Sequence, residues 1–236
     1  MEARDYRKLC SANDLTYYDV TIEQTDLMIA TERDMSEEAY SFIYEQRKVL
    51  LEYIAANPFF EKSLVPMECT DNSPLIIKRM CLASQKAHVG PMAGVAGGLS
   101  QMLCEYLSDF TGEIIIENGG DNCILTKKGR VARIFAGEGA AGFNIEIPPA
   151  KEIYAVCTSS GTFGHSLSFG KADSVSIISD DAFLADSAAT AICNSVHKPE
   201  DIPGALDKAL AIGGVRGVII VCGKKIGAAG EVKFVK

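Results

Sequence analysis

Four glycines lie within the nine residues from position 90 to position 98. Glycine disfavours a helix by about 1 kcal/mol relative to alanine, yet the run that follows, residues 99–110, has the pattern of a helix. Glycines gather where a backbone or a ligand approaches more closely than a side chain permits. We therefore expect a second element or a bound molecule to pack against this helix entry, and a plain helix–helix contact is the simplest case. Free amides at such a helix start would also suit an anion.

A second run of small residues, Ala-Asp-Ser-Ala-Ala-Thr-Ala at positions 185–191, contains two strong oxygen ligands, Asp186 and Thr190. On a helix, residues four apart lie on one face, so the carboxylate and the hydroxyl would point to the same place. Hard cations such as Mg²⁺ prefer oxygen ligands and use one or two carboxylates together with phosphates and water. The spacing fits equally an Asp near a helix start and a Thr packed in a small-residue interface.

The order of the predicted elements indicates an α+β fold. Residues 15–32 alternate apolar and polar positions, the pattern of a β-hairpin, and a helical period then continues from Ser36 to Asn57. Strand clusters separated by long helices predict mainly antiparallel sheets flanked by helices. Further strands are predicted at 113–117, 123–126, 131–135, 143–147, 154–157, 173–179 and 216–222, and further helices at 74–86, 183–194 and 201–212, with 59–73 irregular. No linker or repeat divides the chain, so we expect a single domain over residues 1–236.

Charge and hydropathy exclude two classes of protein. The net charge is −8 and no basic cluster is present, whereas a nucleic-acid surface needs a basic stripe. No window approaches the roughly 20 apolar residues of a membrane span, and no apolar segment follows the basic residues near the N-terminus. We therefore expect no nucleic-acid partner, no membrane association and a cytoplasmic location. The eight cysteines and three histidines lack tight spacing, which favours reduced thiols over a zinc site.

Two further predicted loops contain residues that could bind a ligand, but neither loop has a decisive motif. Asn-Gly-Gly-Asp at 118–121 permits positive φ and fits a hairpin turn. Thr-Ser-Ser-Gly at 158–161 fits either a phosphate cradle or a strand-end loop, and it is not the strained turn of a serine hydrolase. Neither a P-loop nor a dinucleotide fingerprint is present.

Taken in order, four segments resemble the ApbE superfamily, whose best-known members are Mg²⁺-dependent FAD:protein FMN transferases. The segments are 90–97 (Gly-Pro-Met-Ala-Gly-Val-Ala-Gly), 118–121, 158–161 and 185–191. They are similar to the family's Gly/Ala-rich helix entry, Gly-Gly-Asp turn, Thr-Ser-Gly loop and Ala-Asp-Ala-x-Ala-Thr helix. The chain looks most like a short, uncharacterised branch of that superfamily.

The resemblance implies a fold, a metal and a ligand. The fold would be T-fold-like, with antiparallel sheets flanked by helices, and T-fold relatives commonly form oligomers, so we expect a homo-oligomer. The metal, Mg²⁺, would be held by the side chains of Asp186 and Thr190 and by the carbonyl of Ala93. The ligand would be FAD or a related small-molecule flavin or nucleotide. The residues implied to line its site are Gly119, Gly120, Asp121, Thr158, Ser159, Ser160 and Gly161.

The chain departs from the transferases at two places. No lysine follows the Gly/Ala-rich entry, because positions 94–97 are Gly-Val-Ala-Gly. The insert that ends in His-x-x-Asp-Pro is missing, and His165, four residues after Gly161, is the histidine that could replace its catalytic counterpart. Asp186 and His165 are thus the implied catalytic residues.

Three functions fit these residues. The first is a metal-dependent transferase that acts on FAD or performs related pyrophosphate chemistry. The second is a non-catalytic, oligomeric module that binds a flavin or another heteroaromatic ring. The third is a structural oligomer subunit in which the small residues serve packing alone, since a fold does not by itself determine a function.

Overall fold

The computed structural model of the chain describes residues 12–134, 142–162 and 169–235. Local sequence signals place most of its elements. The strands are β1 (Thr16–Ile22), β2 (Thr25–Thr31), β3 (Ile114–Asn118), β4 (Asp121–Thr126), β5 (Arg130–Ile134), β6 (Phe143–Ile147), β7 (Ala150–Ser159), β8 (Ser174–Ser179), β9 (Val215–Cys222), β10 (Lys225–Gly230) and β11 (Phe234–Val235). The helices are α1 (Ser36–Ala56), α2 (Pro58–Lys62), α3 (Leu75–Ala87), α4 (Val95–Leu107), α5 (Ala182–Asn194) and α6 (Ile202–Leu210), with short 3-10 helices at Pro91–Gly94 and Pro199–Asp201.

Two antiparallel sheets form the framework. The larger sheet has eight strands in the order β1-β2-β3-β4-β7-β8-β9-β10, and the smaller has three in the order β11-β6-β5. Within the described part of the chain, every strand pairing of these sheets is antiparallel. The predicted α+β class with mainly antiparallel sheets is therefore confirmed.

The helices and the smaller sheet cover opposite faces of the larger sheet. On the helical face, α1, α3 and α4 enclose one apolar core with β1–β4, while α5 and α6 enclose another with β7–β9. On the other face, Ile145 and Ile147 of β6 pack against Ile124, Tyr154 and Ile219 of the larger sheet. Each fully buried side chain of this kind contributes about 1.5–3 kcal/mol. Among the described helices, none is both long and apolar enough to cross a lipid bilayer.

The first hairpin and the first long helix follow their sequence patterns closely. β1 and β2 pair in a register that aligns Tyr18 with Ile29, and the chain reverses at Glu23, whose φ is 52°. The helix α1 spans the predicted range and ends before Asn57.

The segment after α1 differs from its prediction. Residues 59–73 were expected to be irregular, but Pro58 opens the short helix α2 and Phe60 is 1% exposed in the core. Proline suits the first helical position because it has no amide hydrogen to leave unpaired. The prediction was wrong here because the apolar anchor of a one-turn helix has no detectable period.

Candidate functional site

The glycine-rich entry of α4 lies directly against α5. A side chain at Gly97 would place its Cβ 2.4 Å from the carbonyl oxygen of Ala182, and one at Gly98 would overlap the ring of Phe183 at 2.3 Å. Real Cβ atoms do not approach so closely, so glycine is required for this packing. The expected close approach is present, and its partner is another helix of the chain.

Asp186 extends from α5 into the first turn of α4. Its Oδ2 accepts a hydrogen bond from the Gly97 amide at 2.9 Å, and the residue is only 9% exposed. The amides at a helix start lack partners within their own helix, and they attract negative charge. The anion anticipated at the start of α4 is therefore the carboxylate of Asp186 itself.

Asp121 is the second buried carboxyl of this region. It is the first residue of β4, and its Oδ1 accepts a hydrogen bond from the Thr158 amide at 3.3 Å. Burial and the nearby charge of Asp186 raise the pKa of Asp121 well above its ordinary value, although the Thr158 amide acts in the opposite direction. Burial also raises the pKa of Asp186 from 3.8 to about 7, although the amides of Gly97 and Ala96 lower it.

The two carboxyls create a region of concentrated negative charge with little solvent. Desolvation and a like charge both disfavour ionisation, so the pair gives up protons reluctantly unless a cation neutralises it. No basic side chain of the described residues is among the groups that set the pKa of Asp186. This arrangement favours a bound proton or a positive ion over two free carboxylates.

The Gly-Gly-Asp segment forms the turn between β3 and β4. Gly119 and Gly120 have φ values of 67° and 108°, and the flanking residues Asn118 and Asp121 pair across the turn. The Gly120 amide donates to Glu117 Oε1 at 2.7 Å. The hairpin interpretation is confirmed, and the turn delivers Asp121 to the helical face of the sheet.

The Thr-Ser-Ser-Gly segment is only partly a loop. Thr158 and Ser159 belong to β7, which is longer than the strand predicted at 154–157, because their amides and carbonyls continue the ladder with β8. The Thr158 hydroxyl bonds to that of Ser176 at 2.7 Å, whereas Ser159 Oγ is buried and has no hydrogen-bond partner among the residues that the structure describes. Ser160 accepts from the Thr162 amide at 3.2 Å.

The Gly161 amide ends this segment by donating to the carbonyl of Ala172 at 2.9 Å. A side chain at Gly161 would lie 2.3 Å from the Gly170 carbonyl oxygen. Backbone contact thus explains this glycine without a ligand. His165 lies outside the described residues.

The other implied metal ligands lie along α5 and beside it. Thr190 is half-buried one turn after Asp186 on the same helix. Ala93, in the 3-10 helix that precedes α4, packs against the core around α5. Among the residues the structure describes, no group of three or more His, Cys, Asp or Glu side chains could hold a metal ion.

Three polar residues of the cluster escaped the sequence analysis as contributors to the site. Asn118 Nδ2 donates to the Ala96 carbonyl at 3.1 Å, and Gln101 Oε1 accepts from the Ala182 amide at 2.6 Å. Ser187 is fully buried, and within the described part of the chain its Oγ has no hydrogen-bond partner. Two sequence features could have indicated these residues: Asn118 directly precedes the Gly-Gly turn, and Gln101 follows Gly97 by about one helical turn.

Four separate segments of the chain thus meet at one place. The start of α4 contacts α5 through Gly97 and Asp186, and it contacts the end of β3 through Asn118. Asp121 joins the start of β4 to β7. The two carboxyls are 7% and 9% exposed, so both lie almost entirely out of solvent.

Comparison with known sequences gives matches along almost the whole chain. Residues 7–226 match the family model described as AbpE bacteria. A UPF0280 protein of Methanocaldococcus jannaschii is 38% identical over 221 residues, which cover 90% of each chain. A UPF0280 protein of Methanothermobacter thermautotrophicus is 39% identical over 201 residues, 81% of this chain and 77% of that one.

Comparison with solved structures gives the same fold at low sequence identity. The ApbE protein of Thermotoga maritima superposes with a TM-score of 0.64 at 14% identity, covering 91% of this chain and 97% of that chain. The flavinyl transferase ApbE of Pseudomonas stutzeri, in its apo form, gives a TM-score of 0.58 at 11% identity, with coverages of 92% and 94%. At such identities the likeness concerns the fold.

Proposed function

The chain belongs to the family described as AbpE bacteria, and on that premise we propose that it binds a flavin or a related nucleotide through Mg²⁺ held at Asp186. The similar proteins include a flavinyl transferase and a flavin transferase by name, which supports a flavin as the ligand. The proposal extends the chemistry of those proteins to the residues of this chain.

The observation that carries the proposal is the buried pair Asp121 and Asp186. Both carboxyls are shielded from water, and the charge of Asp186 adds to the cost of ionising Asp121, so a divalent cation would stabilise this site. A flavin dinucleotide contributes a pyrophosphate of further negative charge, which adds to the need for a cation. Mg²⁺ commonly binds one or two carboxylates and completes its shell with phosphate oxygens and water.

The residue types fit this cation. Asp186 and Thr190 would supply a carboxylate and a hydroxyl from one face of α5, and Ala93 would supply a backbone carbonyl, so the set consists of hard oxygen donors. When bound, Mg²⁺ would neutralise charge on the pyrophosphate oxygens. The nucleotide would lie against the Gly119–Gly120 turn and the segment 158–161.

If the protein is a transferase, the reaction exchanges one phosphorus–oxygen bond for another. An acceptor hydroxyl oxygen would form a bond to the FMN phosphorus of FAD, the pyrophosphate bond would break, and AMP would leave with the electron pair. The acceptor proton must pass to a base. His165 is the candidate for this base, since the Asp186 carboxylate would be bound to the cation.

A non-catalytic binding module is the alternative, and the departures from the transferases favour it. The residues 94–97 include no lysine, and the His-x-x-Asp-Pro segment is missing. The module would assemble as a homo-oligomer. The edge strands of the larger sheet, β1 and β10, have one unpaired side each in the part of the chain described, and such edges are templates for pairing with another chain.

We further propose that the chain is one cytoplasmic unit over residues 1–236. The larger sheet takes strands from both halves of the sequence, which supports one unit. The cysteines among the described residues are free thiols, as is usual in a reducing compartment.

Incubation of the purified protein with FAD and Mg²⁺ tests these alternatives. Chromatography measures AMP release, and absorbance measures flavin retained on the protein, each with and without a peptide that carries an acceptor threonine. AMP release supports the transferase, and stable yellow flavin without AMP supports the module. If the protein neither releases AMP nor retains flavin, the structural-subunit function remains, and the proposed ligand is wrong.

A further inference from the structure

Gln101 forms a second hydrogen bond between α4 and α5, one helical turn from the first. Gly97 donates to Asp186 at 2.9 Å, and the Ala182 amide donates to Gln101 Oε1 at 2.6 Å. Gly97 and Gln101 are four residues apart on α4, and Asp186 and Ala182 are four residues apart on α5. The two hydrogen bonds are therefore one helical turn apart along the same interface. Ala182 is the first residue of α5, and its amide has no partner within its own helix.

The orientation of the Gln101 amide is fixed by its partners. The Ala182 amide can only donate, so it must face the side-chain oxygen. The side-chain nitrogen donates to Glu105 Oε1 at 2.9 Å, and that carboxylate can only accept. The Gln101 side chain, 4% exposed, therefore has one orientation that satisfies both ends.

Glu105 is itself held from a third helix. Arg79 of α3 donates to its two carboxylate oxygens at 2.7 and 2.8 Å, the paired geometry that favours arginine at carboxylates. The guanidinium also lies 4.6 Å from the ring centre of Phe183 on α5. The chain of contacts from Arg79 through Glu105 and Gln101 thus begins and ends at the start of α5.

We propose that Gln101 is a positioning residue for Asp186, with Glu105 and Arg79 fixing its orientation. Gln101 holds the first turn of α5 on α4, and that contact sets the distance between the Asp186 carboxylate and the Gly97 amide. Residues that orient a ligand without touching the metal commonly affect metal affinity by about 10–100-fold. The expected change in Mg²⁺ affinity rests on the proposed function, whereas the expected change in exchange of the Gly97 amide does not.

Amide hydrogen exchange in the metal-free protein tests the positioning directly. In Gln101→Met, which keeps the side-chain length but neither polar atom, exchange of the Gly97 amide should accelerate at least tenfold more than that of Leu103 in the same helix. The comparison with Leu103 removes any change in global stability. Gln85→Met is the matched control, because Gln85 of α3 bonds only to the Met67 carbonyl among the contacts that the structure describes for it, and it should leave Gly97 unchanged.

Calorimetric titration with Mg²⁺ gives the second readout. Gln101→Met should weaken binding about tenfold or more, whereas Glu105→Gln, which still accepts from Gln101 and Arg79, should stay within about twofold of the original protein. A Gln101→Met protein that is less stable but has unchanged relative Gly97 exchange would overturn the proposal. If the original protein binds no Mg²⁺, the proposed function fails while the exchange result still decides the role of Gln101.

A second variant covers the case in which Gln101→Met does not fold. Glu105→Met changes a side chain that is 42% exposed, and it leaves the Gln101 amide free to rotate away from Ala182. Gly97 exchange should then accelerate in the same direction by about threefold relative to Leu103, as expected for a weakened rather than a deleted hydrogen bond. No acceleration in this variant would equally refute the positioning role.

Discussion

Replacing Asp186 with asparagine should stabilise the metal-free protein, and increasingly so as pH rises. The pKa of Asp186 is about 7 in the folded state, against an ordinary value of 3.8. A carboxyl with a raised folded pKa binds its proton more tightly when folded, so its cost is absent below about pH 4 and complete above about pH 7. Asparagine has no proton to lose, and its oxygen can still accept from the Gly97 amide.

The size of the effect follows from the shift. About three pH units at roughly 1.4 kcal/mol each give about 4 kcal/mol in total, of which about 2–3 kcal/mol develops between pH 5 and pH 8. Asp121 adds to the effect in the same direction, because removal of the charge on Asp186 lowers the cost of ionising its neighbour.

Urea denaturation in the presence of a chelator, at pH 5, 6, 7 and 8, measures this difference. The free energy of unfolding of Asp186→Asn relative to the original protein should rise by about 2–3 kcal/mol over that range. Asp109→Asn, at an exposed position, should show no such trend. A difference between Asp186→Asn and the original protein that is constant with pH would refute the reasoning, since Asp186 would then be ionised throughout.

Further substitutions test the helix contact, the β3–β4 turn and a buried ion pair. Gly97→Ala should destabilise the protein by about 1–3 kcal/mol through overpacking, whereas Gly204→Ala, in a helix with open space around it, should stabilise it by about 0.5–1 kcal/mol; thermal denaturation distinguishes the two. Gly119→Ala should cost about 1 kcal/mol because φ is 67°, and asparagine at that position should recover much of the loss. Arg130→Met should cost about 3–5 kcal/mol in urea denaturation, because it removes the counter-ion that lies 2.6 Å from the buried Glu113 carboxylate and leaves only the neutral donors of Thr126 and Lys127; a loss below about 1 kcal/mol would contradict this.

Features with a local cause were predictable from the sequence. The alternation before residue 32 produced a hairpin, and the helical period after Ser36 produced a long helix. Asp181 directly precedes α5, and its Oδ1 accepts a hydrogen bond from the Leu184 amide, the local cap that aspartate commonly provides. The glycine cluster correctly predicted a close approach, because the absence of Cβ atoms is itself the signal.

Features with a long-range cause were not predictable from spacing alone. Asp121 and Asp186 are far apart in the sequence and meet only because β4 pairs with β7 beneath α5. The family resemblance implied Asp121 at the ligand site and Asp186 at the metal site, and no periodicity in the sequence linked the two. Gln101 had no signal beyond its position on the α4 helix, since a buried glutamine is defined by partners from other elements.

The sequence alone does not define the role of Asp186. Its spacing to Thr190 fitted both a metal ligand and a packing residue, and the structure shows a carboxylate that bonds to the start of α4. That hydrogen bond uses one lone pair of Oδ2, so the carboxylate keeps further lone pairs that can accept a hydrogen bond or bind a cation. Packing and metal binding are therefore compatible at this residue.

The central claim is that Asp186 holds a divalent cation for a flavin nucleotide. Calorimetric titration of Mg²⁺ at pH 8 in the presence of FAD measures it directly, with Asp186→Asn compared with the original protein and with Asp109→Asn. We predict saturable binding to the original protein and to Asp109→Asn, with at least a tenfold loss of affinity in Asp186→Asn. Equal binding to all three proteins, or binding to none, would contradict the claim.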